Sequence, residues 1–126
     1  METFPIFVSL DKSSEWRRNF VLFLDEARQF LKGLDVKTRT KILYNVDKAK
    51  ILNDPKLFKK LTSEIWEFRT RYNGLQYRLL AFWDKTGEIK TLVISTHGFV
   101  KKVDKVSTNE IEKANELRKT YFRLKK

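Results

Sequence analysis

Glu64–Asp84, EIWEFRTRYNGLQYRLLAFWD, is the stretch that decides the fold of this chain. It consists of two runs of strand-forming residues joined by Asn73-Gly74, a dipeptide that favours positive φ at both central positions of a type I′ turn. The turn predicts a β-hairpin and fixes its register, which places Arg69 directly opposite Arg78. The rest of the chain can be placed relative to this hairpin.

Side chains of the hairpin alternate between two faces. The first face is predicted to be the core and carries Trp66, Phe68, Thr70, Tyr72, Leu75, Tyr77, Leu79, Ala81 and Trp83. The second face carries Ile65, Glu67, Arg69, Arg71, Gln76, Arg78, Leu80 and Phe82, and we expect it to remain open. On this face Arg69 lies directly across from Arg78, and Arg71 lies diagonal to Arg78. Like charges in such cross-strand positions repel each other and are unfavourable. Either Glu67 pairs with the arginines on a solvated surface, or three guanidinium groups bind a phosphate, which suits them better than one carboxylate does.

Composition limits the classes of protein to consider. The 126 residues are predicted to form one domain, residues 1–126, and 41% hydrophobic and 13% aromatic residues argue against disorder. There is no cysteine and only one histidine, His97, which excludes disulfides, thiolate nucleophiles and multi-histidine metal sites.

The net charge of +11 favours a polyanionic partner. Nucleic acid is favoured over membrane, because no long lysine-rich amphipathic helix or lipidation motif accompanies the charge. Apolar stretches fall short of the ~20 residues of a membrane span, and the N-terminal METFPIF lacks the features of a signal peptide. A cytoplasmic protein without membrane partners is expected.

Upstream of the hairpin, alternation predicts a short strand at Phe4–Leu10. Helical spacing predicts a helix of about five turns that starts after Ser13 or Ser14 and stops at Gly33. A second helix is predicted over Asp35–Leu52, and the short connection makes the two an antiparallel helical hairpin. The outer face of the second helix is basic and is either a solubilising surface or one that follows a phosphate backbone; it carries Lys37, Arg39, Lys41, Lys48 and Lys50.

Downstream, the apolar run in Ile89–Thr96 predicts a central strand. His97–Val106 is expected to leave the sheet, with Gly98 permitting a bend. The sequence Ser107-Thr108-Asn109-Glu110 forms a capping box and predicts a last helix over 108–122. The result is an α+β arrangement with all helices on one side of the sheet and the arginine face open.

From Leu61 onward the sequence resembles the RelE/HigB superfamily of toxins from type II toxin-antitoxin systems, in its phage-derived HigB-like branch. The resemblance is carried by WEFR at 66–69, YRLL at 77–80, HGFVKK at 97–102 and EIEKA at 110–114. It implies a RelE/ParE-like fold: an N-terminal strand and helical hairpin, a three-stranded antiparallel meander and a C-terminal helix. It also implies an mRNA-cleaving RNase acting in the ribosomal A site, held inactive in a hetero-oligomer by a co-expressed antitoxin, often of helix-turn-helix type.

Site residues follow from the resemblance and from the arginine face. Catalytic roles are assigned to Arg69, Arg78, Lys101 and Lys102, and substrate binding to Lys60, Arg71, His97 and Phe99. No metal or cofactor is expected, because the arginine face lacks a carboxylate cluster for Mg²⁺. The RNA 2′-OH is then the expected nucleophile. Two alternatives remain: a ParE-like poison of DNA gyrase, and a non-enzymatic RNA-binding or phage regulatory protein.

Overall fold

A computed structural model describes residues 20–87 and 92–125 and has an α+β fold there, as predicted. The elements are β1 Phe20–Phe23, α1 Asp25–Lys32, α2 Val36–Ile51, β2 Phe58–Lys60, β3 Trp66–Tyr72, β4 Leu75–Asp84, β5 Leu92–Lys101 and α3 Thr108–Leu124. The sheet has the order β1-β5-β4-β3-β2, with β1 parallel to β5 and the other pairs antiparallel. The strand predicted at Phe4–Leu10 lies outside the described residues.

The Asn73-Gly74 hairpin has the predicted register. Both turn residues have positive φ, 53° for Asn73 and 80° for Gly74. β3 and β4 pair residue by residue from Trp66 with Ala81 to Arg69 with Arg78 and on to the turn. The dipeptide therefore places every side chain of the two strands on its predicted face.

Helices cover both faces of the sheet, which corrects the prediction that all helices lie on one side. Residues of α1 and α2 pack on the first hairpin face in a cluster that includes Ala27, Leu31, Ile42, Val46, Phe68, Leu79 and Val93. α3 packs on the second face, where Ala114 joins a cluster with Ile65, Leu80, Phe82 and Ile94. This explains why the second face has a mixed composition. Its apolar residues lie under α3, and its arginines lie on the part of the face that α3 does not cover.

α3 is fixed to the sheet at both ends. Near its N-terminus, Ser107 caps the helix by accepting a hydrogen bond from the Glu110 amide, and the Glu110 carboxylate contacts His97 of β5. At its C-terminal end, the buried carboxylate of Asp84 accepts hydrogen bonds from the Tyr121 hydroxyl at 2.5 Å and the Lys125 ammonium at 3.0 Å. α3 therefore covers the part of the sheet far from the Asn73-Gly74 turn.

The N-terminal half of the sheet differs from the prediction. Residues 20–23 form strand β1 rather than part of a long helix, and α1 begins only at Asp25. Val21 and Phe23 are buried and Leu22 is exposed, the alternation of a strand. The described residues form a sheet of five strands, because β1 lies beside β5 and the short β2 lies beside β3. The prediction has fewer strands, an N-terminal one at Phe4–Leu10 and a three-stranded meander. None of the helices described has the length and apolar character needed to cross a membrane.

β5 continues through Lys101, so the chain does not leave the sheet at Gly98 as predicted. A β-bulge shifts the pairing between Leu80, which faces His97, and Ala81, which faces Ser95. Gly98 has a packing role instead of a bend: a Cβ there would lie 2.3 Å from the Phe30 ring of α1. The glycine allows α1 to approach the sheet, and the bulge sets which β5 side chains reach the arginine face.

Gly98→Ala is expected to lower the free energy of unfolding by roughly 1–3 kcal/mol, because the added methyl overlaps the Phe30 ring and Leu79. Urea unfolding measures the loss. Gly87→Ala is the matched control, since a Cβ at Gly87 meets nothing within 4 Å. The loss should shrink in a Phe30→Ala background; equal losses in both backgrounds would show that Phe30 is not the cause.

Candidate functional site

A cationic cleft lies on the second face of the sheet, between α3 and the Asn73-Gly74 turn. It has a volume of about 440 Å³ and is lined by Lys56, Arg69, Thr70, Arg71, Gln76, Arg78 and Lys101. Five of these seven residues are lysine or arginine, and none is acidic. The three arginines singled out from the sequence therefore meet in one place. β5 adds Lys101, which lies opposite Gln76.

The carboxylate of Glu67 lies buried beside the arginines of the cleft. Its Oε1 is 3.1 Å from Nε of Arg78, and its Oε2 is 3.5 Å from Nε of Arg69. The angles do not make the Arg78 contact an aligned hydrogen bond, and within the described part of the chain neither Glu67 Oε1 nor Arg78 Nε has another hydrogen-bonding partner. The attraction is thus electrostatic, in a place from which water is excluded.

Arg78 is buried, which corrects the expectation that it stands on an open face. Only 2% of it is exposed. Its Nη1 donates to the Tyr77 carbonyl at 3.1 Å and its Nη2 to Gln76 Oε1 at 2.8 Å. Burial lowers the pKa of Arg78, and the Glu67 carboxylate opposes this effect. Arg78 is therefore the floor of the cleft, held in one orientation by three partners.

Arg69 and Arg71 are the arginines that solvent reaches. Arg69 is partly exposed, and its Nη1 donates to the Pro55 carbonyl at 3.2 Å. Arg71 is exposed. An anion that enters the cleft from solvent therefore meets Arg69 and Arg71 before Arg78. Arg71 is the more adjustable of the two, because Glu67 and the Pro55 carbonyl restrain Arg69.

Lys101 is the lysine that β5 contributes to the site. Burial lowers its pKa, as does the nearby Arg78 guanidinium, while the Glu67 carboxylate opposes the shift. Lys101 and Arg69 also line a second cleft of about 270 Å³ with Lys59, Leu61, Glu67, Asp104, Lys105, Val106 and Ile111. The two clefts therefore meet at Arg69 and Lys101.

Four of the predicted site residues lie outside both clefts. Lys60 pairs with Trp66 and so belongs to the opposite face, whereas its neighbour Lys59 pairs with Glu67. Lys102 follows β5 and is exposed. The remaining two, His97 and Phe99, pack against α3.

Lys56 and Lys59 are cleft residues that the site prediction did not include. Lys59 could be found only from the β2 register, because period-two alternation decides between it and Lys60. No sequence pattern indicates Lys56, because it lies in the turn before β2 and not in a strand with alternating faces.

His97 is a buried structural residue of the α3 contact. Its Nε2 lies 2.8 Å from Oε1 of Glu110, and its Nδ1 lies 3.1 Å from the Thr96 hydroxyl. Burial lowers the pKa of His97, and Glu110 opposes the shift. Phe99 packs in the α3 cluster, with its ring centroid 5.9 Å from that of His97. Both residues pack between β5 and α3, beside the cleft, and neither belongs to its lining.

The chemistry of the cleft is that of an anion site. Among residues 20–87 and 92–125, no three His, Asp or Glu side chains come together in a way that would hold a metal ion. Several guanidinium groups and one lysine of lowered pKa can bind a phosphodiester, stabilise added negative charge on it and transfer a proton. The cleft therefore contains groups that can bind a phosphodiester and assist a reaction at its phosphorus.

Comparison with known protein families shows to which family this chain belongs. Residues 29–119 match the model of the family described as phage-derived protein Gp49-like (DUF891), a toxin-like family. The chain belongs to the Gp49-like family. The match includes β2 to β5 and every residue of the cationic cleft. A search of curated proteins finds none that matches the chain.

Arg78→Met is expected to lower the free energy of unfolding by roughly 3–5 kcal/mol, because it leaves the buried Glu67 carboxylate without its nearer cation. The double variant Glu67→Met with Arg78→Met should recover much of this loss, since no charge is then buried unpaired. Urea unfolding at neutral pH measures both. A double variant less stable than either single variant would show that the pair itself stabilises the fold.

The free energy of unfolding is expected to fall as the pH drops below 6.5, the ordinary pKa of histidine. The unfolded chain takes up a proton on His97 there, while the folded chain, in which the pKa is lowered, does not. Unfolding measured between about pH 5.5 and about pH 7.5 in the original chain and in His97→Gln tests this, because the chain has one histidine. The variant should lose this dependence; a folded state that gains stability on acidification would mean that His97 is charged in it.

Proposed function

We propose that this chain is the toxin of a type II toxin-antitoxin system of the RelE/HigB kind, and that it cleaves mRNA on the ribosome without a metal. The observation that carries the proposal is the cationic cleft: five lysine and arginine residues with no acid in its lining. Membership of a toxin-like, phage-derived family supports the system class.

The reaction is attack of an RNA 2′-OH on the adjacent phosphate. The 2′-OH gives up its proton, the O2′–P bond forms, the P–O5′ bond breaks, and the leaving 5′-oxygen takes up a proton. The reaction needs alignment of the 2′-OH, stabilisation of charge on the phosphorane oxygens and a route for the two protons. All of these are within the capacity of arginine and lysine side chains around one phosphate.

Roles follow from the exposure of each residue. Arg71 and Arg69, at the rim, bind the phosphate and stabilise the phosphorane. Arg78 sets the positive potential from below and is a positioning residue, since its nitrogens are already engaged by Glu67, Tyr77 and Gln76. Lys101 is the group assigned to proton transfer, because it lines the cleft and its pKa is lowered by burial and by the Arg78 guanidinium, which favours the neutral amine.

Dependence on the ribosome follows from the open cleft. A solvated lysine is a poor base, and a flexible single strand seldom aligns its 2′-OH for in-line attack. Ribosomal contacts would supply both exclusion of water and alignment. The same exposed cations offer a surface to an acidic segment of a co-expressed antitoxin, which would inhibit by occupying the cleft in a hetero-oligomer.

Arg71→Gln is expected to reduce mRNA cleavage in a reaction with intact 70S ribosomes by roughly a hundredfold, the loss typical of a deleted charge-stabilising group. Its free energy of unfolding should change by less than about 0.5 kcal/mol, because Arg71 is exposed. Lys119→Gln is the matched control: it removes one exposed charge from α3, outside the cleft, and should cleave at the original rate.

Analysis of the fragment ends tests the mechanism in the same reaction. The upstream fragment should end in a 2′,3′-cyclic phosphate or 3′-phosphate, and EDTA-treated toxin should remain active. A 5′-phosphate on the downstream fragment would contradict 2′-OH attack. Intact mRNA together with poisoned DNA gyrase would place the chain with the ParE-like toxins, and binding of RNA without scission would make it a regulatory protein.

A further inference from the structure

A second cationic surface lies on α2. Lys37, Lys41, Tyr44 and Lys48 follow one another at helical spacings of four, three and four residues, so they form one line along the helix. We call this line the α2 stripe. Tyr44 is 56% exposed, although it is one of the larger side chains of the helix. The buried side of α2, with Ile42 and Val46, packs on the sheet face opposite the cleft.

Two ammonium groups approach the same ring in the α2 stripe. Nζ of Lys41 lies 5.4 Å from the Tyr44 ring centroid, and Nζ of Lys48 lies 5.5 Å from it. Cation–π attraction at exposed sites is worth about 0.5–1 kcal/mol per contact, so the ring holds both lysines close to itself. Because the two ammonium groups lie close to the same exposed ring, their positive potentials add there and attract an anion.

Within the part of the chain that the structure describes, acidic side chains do not neutralise the stripe. The acidic residue within α2, Asp47, lies 3.4 Å from the ammonium of Lys50, whose side chain is buried. In the ranges 20–87 and 92–125, neither Lys41 nor Lys48 forms a salt bridge with a carboxylate. The stripe therefore keeps its positive charge and is complementary to a polyanion.

We propose that the α2 stripe is a second RNA-binding surface, which contacts the phosphate backbone through Lys37, Lys41 and Lys48 and stacks Tyr44 on a base. Lysines interleaved with an exposed aromatic ring are the combination that binds nucleic-acid strands without sequence preference. An acidic protein would also be attracted to the three lysines, but an exposed ring between two ammonium groups is in addition a platform on which a base can stack. The inference goes beyond the cleavage function, because binding at the stripe needs no residue of the cationic cleft.

The test uses RNA that cannot be cleaved. A fluorescein-labelled, single-stranded 2′-O-methyl RNA of about 20 nucleotides lacks the attacking hydroxyl, so fluorescence anisotropy reports binding alone. Tyr44→Ala should weaken binding roughly tenfold, the loss expected when one stacked base is released. Lys41→Gln with Lys48→Gln should weaken it and also reduce the slope of log K against log salt by roughly 1.4, since about 0.7 is lost per phosphate contact on a single strand.

The double variant Lys119→Gln with Arg123→Gln is the charge-matched control, because it removes two exposed charges from α3 instead of α2. It should bind with the original affinity and salt slope. Stripe variants that bind as tightly as this control would overturn the proposal. A polyglutamate peptide is the second probe: if it binds as tightly as RNA and is equally sensitive to Tyr44→Ala, the surface fits an acidic protein and the RNA assignment is wrong.

The proposal and the cleavage function can fail separately. Arg71→Gln should leave the contribution of the stripe intact, so Tyr44→Ala added to Arg71→Gln should weaken binding by the same factor as in the original chain. A loss that appears only in the original chain would mean that RNA reaches the stripe from the cleft, and that the stripe is not an independent surface.

Discussion

The buried carboxylate of Glu67 is the group on which the cationic cleft depends. The hairpin register places Arg69 opposite Arg78, an arrangement that repels unless an anion lies beside it. Glu67 supplies that anion from a position where it is itself almost completely buried. A charge in such a place is stable only while its cations stay in position. The need to pair Glu67 thus fixes Arg78 and restrains Arg69, and the excess positive charge is directed to the open side.

The sheet is asymmetric, and this asymmetry keeps the cleft open. α3 is held near its start by the contact between Glu110 and His97, and near its end by Asp84. Burial alone would raise the pKa of Asp84, but hydrogen bonds from Thr86, Tyr121 and Lys125 outweigh it and hold the pKa below its usual value. α3 is consequently fixed over the apolar half of the second face and cannot cover Arg69 or Arg71 without losing these contacts.

The sequence was informative where local rules determine structure. Asn73-Gly74 fixed the register of the hairpin, and Ser107 fixed the start of α3, because turn and cap geometry depend on neighbouring residues. The apolar residues of Phe20–Phe23 also fit helical spacing, so the pattern predicts a helix there. The segment is a strand because it pairs with β5, which is distant in the sequence. The burial of Arg78 could not be predicted from alternation, because alternation gives the face of a side chain and not its exposure. Here the exposure depends on the contacts of Arg78 with Glu67, Gln76 and the Tyr77 carbonyl.

The candidate site was predictable to a similar extent. Arg69, Arg71 and Arg78 could be brought together from the hairpin alone, and β5 adds Lys101 because it remains in the sheet. The resemblance places Lys102, His97 and Phe99 with them through the HGFVKK stretch. Strand alternation separates Lys102 from Lys101, and the packing of α3 takes up His97 and Phe99. Lys59 replaces Lys60 for the same reason, as a one-residue difference changes the face of a strand.

The two proposed RNA surfaces have a fixed relation to each other. β3 carries Arg69 and Arg71 on one side of the sheet, and α2 packs against β3 on the other. A short single strand therefore cannot occupy the cleft and the α2 stripe without passing around the edge of the sheet. An RNA assembly that surrounds a small protein can contact both at once, one part holding α2 and another presenting its strand to the cleft. If both proposed surfaces bind RNA, the geometry thus favours a large folded RNA over a free message as the setting in which they act together.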